Sequence, residues 1–173
     1  LGHAPREQHV AHLRLGGRAL GDDLEVGDLD AGLVGALHQQ AAAHALVVEG
    51  AGGLLVPLEG TRTFADLAVA LGASLVVVAR DALGTLNHTE LTVREIRRAG
   101  LDVDGLILGS WPAAPDLAMT CNRDDLHRLT GVPIVAVLPA GSGSLAPADF
   151  QNSAPAWVHS PIVNPIAQPG AHK

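Results

Sequence analysis

The sequence predicts an α/β fold, a mostly parallel sheet with helices on both faces. Apolar runs rich in β-branched residues recur at 46–48, 74–79, 105–108 and 134–138, the pattern of strands buried on both faces. Stretches with helical periodicity, cap signals and glycine stops lie between them, and such alternation with right-handed crossovers makes a parallel sheet. Each apolar run also leads into a loop of Gly, Ser, Asn, Pro or acidic residues. Those loops gather on one rim, the place where open α/β sheets bind ligands.

The chain of 173 residues is long enough for one domain with a sizeable core. Its 47% hydrophobic and 17% charged residues mark a globular chain rather than a disordered one. With 2% aromatics and no Tyr, the core is built of Leu, Val, Ile and Ala. A net charge of −7 argues against nucleic acid as a main partner, because a phosphate-binding surface needs clustered Lys and Arg. No apolar run reaches the roughly 20 residues that cross a bilayer, and no signal-peptide pattern is visible. Cys121 stands alone, which excludes an intrachain disulfide and points to a reducing, cytoplasmic compartment. The only lysine is Lys173.

Residues 1–27 read as a flexible leader outside the domain, 28–158 as the domain, and 159–173 as a Pro-rich disordered tail. His9 and His12 have a spacing compatible with one helix face, but no further candidate ligand accompanies them as a metal site needs. From Leu29, apolar residues at 33, 36 and 37 share one face of a helix. Residues 46–49 then form a buried strand ending at Glu49. Pro57 keeps 54–60 extended. Thr63 with Asp66 three residues on is a capping box that opens a helix over 64–71, ended by Gly72. After the strand at 74–79, Thr85 or Asn87 caps a long helix over 86–99 that Gly100 stops. The strand at 105–108 ends in the loop Gly109-Ser110-Trp111-Pro112, a helix spans about 116–129, and the strand at 134–138 ends in Pro139-Ala140-Gly141. Trp157 and Val158 close the domain with a last short element.

Two of the rim loops carry chemistry on their own terms. Glu49 places a hard carboxylate oxygen at the carboxyl end of a strand, a natural Mg2+ contact, directly or through water. Gly50, Gly52 and Gly53 let the backbone approach a phosphate closely, or turn away sharply. At the second loop, the free N–H groups and the dipole at the start of the helix near Thr85 form an anion site.

The order and spacing of four stretches carry a resemblance. They are Val48-Glu49-Gly50-Ala51-Gly52-Gly53 with Val56-Pro57-Leu58; Thr63-Phe64-Ala65-Asp66-Leu67; Leu83-Gly84-Thr85-Leu86-Asn87-His88-Thr89 with Leu91-Thr92; and Val135-Ala136-Val137-Leu138-Pro139. From about Asp30 to Trp157 the sequence resembles the ATP-dependent dethiobiotin synthetases, cyclo-ligases with a P-loop NTPase-like fold. The resemblance implies ring closure on 7,8-diaminononanoate in biotin biosynthesis. One amine takes up CO2, supplied as bicarbonate, to form a carbamate; the carbamate attacks the γ-phosphate of ATP; and the second amine displaces phosphate. It implies Glu49 as Mg2+ ligand, with Gly50, Gly52 and Gly53 beside the phosphates. Gly84, Thr85, Leu86 and Asn87 become the cradle for the substrate carboxylate, reaching across a homodimer. Pro139, Ala140 and Gly141 lie along the nucleotide base.

The chain departs from the family pattern at two places. Many members carry Asn-Asp where this chain has Gly109-Ser110, the position that reads adenine. The family also begins with G-x-x-x-x-G-K-[ST], whose backbone and lysine hold phosphate. Gly16-Gly17-Arg18 is not that motif, and with Lys173 the only lysine no catalytic lysine is identifiable. The expectation is therefore the carboxyl-terminal part of a synthetase, incomplete at its N-terminus and inactive by itself. A non-catalytic dimeric binding module, and a related P-loop amidoligase or partitioning-type ATPase, remain as alternatives.

Overall fold

The computed structural model describes residues 10–15, 35, 37, 46–50 and 52–159. Its strands are β1 (Val10–Leu15), β2 (Leu46–Glu49), β3 (Pro57–Glu59), β4 (Arg62–Thr63), β5 (Ser74–Ala79), β6 (Val103–Trp111) and β7 (Ile134–Pro139). Its helices are α1 (Phe64–Ala70), α2 (Thr85–Arg98), α3 (Leu117–Thr130) and α4 (Pro147–Ser153), with 3-10 turns at Ser142–Ser144 and Ala154–Trp157. Five strands make one sheet in the order β2-β1-β5-β6-β7, while β3 and β4 pair as a hairpin. β5, β6 and β7 are parallel to one another. β1 is antiparallel to both β2 and β5, so β2 runs in the same direction as β5. The α/β class, with a mostly parallel sheet flanked by helices, is as the sequence predicts.

Local signals account for the elements. α1 is capped by Thr63, which donates its N–H and hydroxyl to the Asp66 carboxylate at 2.7 and 2.8 Å and accepts the Asp66 N–H, the reciprocal capping box. Asp116 caps α3 by accepting the Met119 N–H at 2.8 Å, and Gly131 closes that helix in the left-handed conformation at φ 68°. Thr85, Thr89, Val93 and Ile96 form the buried stripe of α2, at the spacing of one helix face. Phe64, Leu75, Ile96, Leu106, Leu108, Leu126 and Val132 make the core between the sheet and these helices.

Several expectations need correction. Val10–Leu15 is a strand between β2 and β5, within the stretch read as a flexible leader; the alternation of Ala11, Leu13 and Leu15 with His12 and Arg14 is the period of a strand, and backbone pairing with two neighbours holds it. β2 is not buried on both faces. Among the described residues it is the edge of the sheet, Val47 is 64% exposed and Glu49 is exposed. Gly109, Ser110 and Trp111 continue β6 rather than forming a loop, because the Ala140 N–H donates to the Trp111 carbonyl at 2.8 Å and extends the pairing. α2 starts at Thr85 and is capped by Gly84, without a side-chain bond from Thr85 or Asn87. The helix expected from Leu29 lies outside the described residues except Gly35 and Leu37, both helical. The tail beyond His159, with Ala51 in the first rim loop, also lies outside them.

Candidate functional site at the carboxyl rim of the sheet

Because β2, β5, β6 and β7 run the same way, the loops after them share one rim. The structure brings the predicted residues to it from three directions. Glu49 ends β2 and pairs with His12, which pairs with Val76 on its other side, so Glu49 sits below the end of β5 at Ala79. Gly50 is buried directly over the Phe64 ring; an added Cβ would lie 2.7 Å from Phe64 Cδ2. Gly52 and Gly53 both take positive φ, 93° and 114°, a conformation that favours glycine. This turn carries the chain from the exposed carboxylate into the β3–β4 hairpin, and it is tied by Val56 N–H donating to Gly53 O at 3.4 Å.

The second loop enters α2. Gly84 has φ 91°, Thr85 N–H donates to Ala82 O at 3.2 Å, and His88 N–H donates to Gly84 O at 3.1 Å. Helix geometry leaves the N–H groups of Leu86 and Asn87 without an intrahelical acceptor. Asn87 is exposed, Leu86 packs partly on the core, and Thr85 is only 2% exposed. The Thr85 Oγ1 has no hydrogen-bond partner among the described residues. An anion at this helix start would meet two backbone donors and the positive end of the dipole. Leu83, just before it, is 95% exposed.

At the far end of the rim, a cleft of about 460 Å³ opens between the ends of β6 and β7; Trp111, Pro112, Arg123, Pro139, Ala140 and Trp157 are among its walls. Gly141, at φ 83°, leads into the Ser142–Ser144 turn. The Arg123 guanidinium lies over the Trp111 ring, 5.4 Å from its centroid. Val158 bridges antiparallel to Ala136, and His159 N–H donates to Val135 O at 2.8 Å, so the C-terminal segment folds back along β7 and forms one wall. Gly109 sits back from this cleft: a Cβ there would come within 2.9 Å of Val78 Cγ1, so its smallness serves the packing of β6 on β5. Trp111, not Gly109, is the β6 residue level with Pro139. Reasoning from sequence did not assign Arg123, Trp157 and His159 to a site. The available signal was the rarity of aromatics, two Trp and two Phe in the chain.

The Mg2+ expectation can be tested on the donors present. No group of three or more His, Cys, Asp or Glu that could hold a metal occurs among the described residues. Mg2+ is ordinarily held by one or two carboxylates, with phosphates and water completing its shell. A single exposed carboxylate at the strand end therefore fits Mg2+ brought with phosphate, and does not fit an all-protein metal cage. The one carboxylate near the rim with a clear electrostatic signature is Asp66. Hydrogen bonds from the Thr63 backbone and hydroxyl hold it below the usual Asp range, which is a capping effect.

A family model described as an AAA domain (AAA_26) matches residues 18–147. Relatives named "ATP-dependent dethiobiotin synthetase BioD" are also similar to the chain. That of Streptomyces coelicolor is 52% identical over 124 residues, 70% of this chain and 52% of the relative. That of Rhodococcus jostii is 58% identical over 117 residues, 66% of this chain and 50% of the relative. That of Corynebacterium kroppenstedtii is 44% identical over 123 residues, 71% of this chain and 54% of the relative. The chain thus spans about half the length of the curated relatives it matches. The similarity expected from the four rim stretches is borne out, and with the family model matching most of its length, the chain belongs to the AAA_26 family of AAA domains.

Proposed function

We propose that this chain forms the Mg2+ and substrate rim of an ATP-dependent dethiobiotin synthetase of biotin biosynthesis, acting in the cytoplasm as a homodimer. The observation that carries the reading is geometric. Three of the four stretches that resemble this enzyme family, those at 48–58, 83–92 and 135–139, are separate in sequence, yet they reach the carboxyl ends of the co-directional strands β2, β5 and β7 and so one rim. The names and identities of the relatives support it.

In this reading Glu49 would hold Mg2+, which would supply positive charge to offset that of the phosphates. Gly50, Gly52 and Gly53 let the backbone pass close to phosphate. Gly84, Thr85, Leu86 and Asn87 take the carboxylate of 7,8-diaminononanoate bound at the partner's site, through the N–H groups at the start of α2. The buried Thr85 Oγ1, unpartnered among the described residues, adds a donor there. Ser110, Pro139, Ala140 and Gly141 lie along the nucleotide, with Gly109 behind them packed on Val78. From β2 to β7, with three strands between, the rim spans roughly 19 Å at ordinary strand spacing, a reach suited to an extended nucleoside triphosphate. These residues position the reactants, and phosphoryl transfer depends mainly on such positioning and on charge stabilisation.

Residues 1–172 contain no lysine and no G-x-x-x-x-G-K-[ST]. The 173-residue chain by itself is accordingly expected to bind substrate without turning it over. The test is to mix the purified chain with ATP, Mg2+, bicarbonate and 7,8-diaminononanoate, assay dethiobiotin, and titrate the diamine by calorimetry. Saturable diamine binding without product is the expected result. Product formation would refute the inactivity of the chain, and absence of diamine binding would refute the assignment of the rim. The missing lysine favours one second reading, a dimeric module that only binds; diamine affinity with no nucleotide affinity would select it.

A further inference from the structure

The rim has a middle as well as two ends. Glu49 closes β2, and the cleft walled by Trp111 and Trp157 lies at the ends of β6 and β7. In the sheet order β2-β1-β5-β6-β7, a nucleotide that reaches from that cleft to Glu49 must pass over the end of β5. Arg80 stands there, directly after Ala79, the last residue of the strand, and is half-buried. Register places it on the face of the sheet that carries Glu49. Residues directly opposite one another across strands share a face, and successive residues of a strand alternate. Glu49, His12 and Val76 are opposite one another, and Val78 and then Arg80 follow Val76 in the same alternation. Leu75, Val77 and Ala79 form the other set, inside the core. β1 separates β2 from β5, and Arg80 lies four residues beyond Val76, so its Cα stands about 16 Å from that of Glu49 at ordinary strand spacing and rise. At that separation the two side chains flank a phosphate chain between them.

The other arginines among the described residues are placed elsewhere. Arg94, Arg98 and Arg128 pair with Glu90, Glu95 and Asp125 on helix surfaces, and Arg97 donates to Thr130 O at 2.9 Å. Arg62 belongs to the β3–β4 hairpin, Arg123 to the cleft, and Arg14 stands level with Ser74 at the amino end of β5. We propose that Arg80 holds the β- and γ-phosphates of the nucleotide from the side opposite Glu49. This deepens the nucleotide-binding reading above and rests on it. A planar guanidinium meets phosphate oxygens two at a time through charge-assisted hydrogen bonds, and half-burial leaves the attraction less screened than it is at the surface. Asp81, the nearest carboxylate in sequence, already lies in the bend that turns toward α2.

The 173-residue chain and its variants are titrated with ATP and with AMP at equal Mg2+ by calorimetry. Arg80→Gln should weaken ATP about tenfold, the scale of one hydrogen bond to a charged group, and AMP by less than about twofold, because AMP lacks the phosphates that Arg80 meets. Arg80→Lys, which keeps the charge but loses the fork, should weaken ATP by about threefold and leave AMP unchanged. Arg128→Gln makes the same change of charge near the end of α3, at an exposed ion pair, and should leave ATP within about twofold of the parent. Thermal melts establish that each variant is folded, and if Gln is not tolerated the Lys variant carries the test through its loss of ATP affinity alone. An ATP affinity unchanged by the Arg80 variants, or ATP and AMP weakened alike, overturns the inference while leaving the nucleotide reading in place. Binding of neither nucleotide by the parent chain overturns the inference together with that reading.

Discussion

Replacing Gly50 by Ala should destabilise the fold through a single identifiable contact. The new Cβ would stand 2.7, 2.8 and 2.9 Å from Phe64 Cδ2, Cγ and Cε2, whereas carbon atoms settle at about 3.5–4.0 Å. The ring would have to withdraw by about 1 Å, and it has nowhere to go. Phe64 is 1% exposed, it begins α1 immediately after the capping residue Thr63, and the next N–H, that of Ala65, is tied to Leu54 O at 3.0 Å. Gly50 itself does not adopt the left-handed conformation, so the cost comes from contact and not from backbone strain. Overpacking of this kind costs about 1–3 kcal/mol, or roughly 2–12 °C in Tm for a domain of this size. Urea unfolding followed by circular dichroism measures it. Phe64→Leu, which removes the atoms in the way, should recover part of the loss in a double-mutant cycle, with a coupling of about 1 kcal/mol or more. A Gly50→Ala chain within about 0.5 kcal/mol of the parent, or an equal cost in both backgrounds, would refute the reasoning. The same variant tests whether the turn that presents Glu49 depends on the packing beneath it.

Two further outcomes follow from hydrogen bonding. Thr63→Ala should cost about 1 kcal/mol, the usual loss of an N-cap. Because the Thr63 bonds hold Asp66 below its ordinary pKa, their contribution is present above the unfolded-state value and disappears as pH falls through the lower folded value. Asp66→Asn should therefore flatten the acid side of a stability profile taken from about pH 5 downward, and an unaltered profile would count against the capping box as its source. Thr89→Val should be neutral or stabilising by up to about 1 kcal/mol in thermal and urea unfolding. Thr89 is 0% exposed and its Oγ1 lacks a partner among the described residues, so removing the hydroxyl removes an uncompensated desolvation; a loss above about 1 kcal/mol would show that the hydroxyl is engaged.

Where local chemistry was sufficient, the sequence was readable. Thr63 and Asp66 specify a helix start by their own reciprocal bonds, Asp116 and Gly131 bracket α3, and the valine runs at 74–79 and 134–138 are strands whatever lies beside them. The order of the rim stretches was sufficient for the family resemblance. The sequence did not reveal what depends on neighbours. An apolar run such as 46–48 looks the same in an edge strand and in a central one, and only the sheet order shows that β2 is the edge and leaves Val47 exposed. Val10–Leu15 alternates apolar Ala11, Leu13 and Leu15 with His12 and Arg14, the period of a strand, but so short an alternation does not name the strands that pair with it, which lie far away in sequence. Gly109 and Ser110 read as loop residues until Ala140 extends the pairing of β6. The cleft is the clearest case. Trp111, Arg123, Trp157 and His159 come from a strand end, a helix and a returning C-terminal segment, and no spacing rule connects them. Sequence alone determined the class of fold, most helix boundaries and the loops that meet at the rim, since these follow from contacts within a few residues. Tertiary structure alone decided which strand is exposed and which side chains share a cleft, since those follow from contacts between residues far apart in the chain.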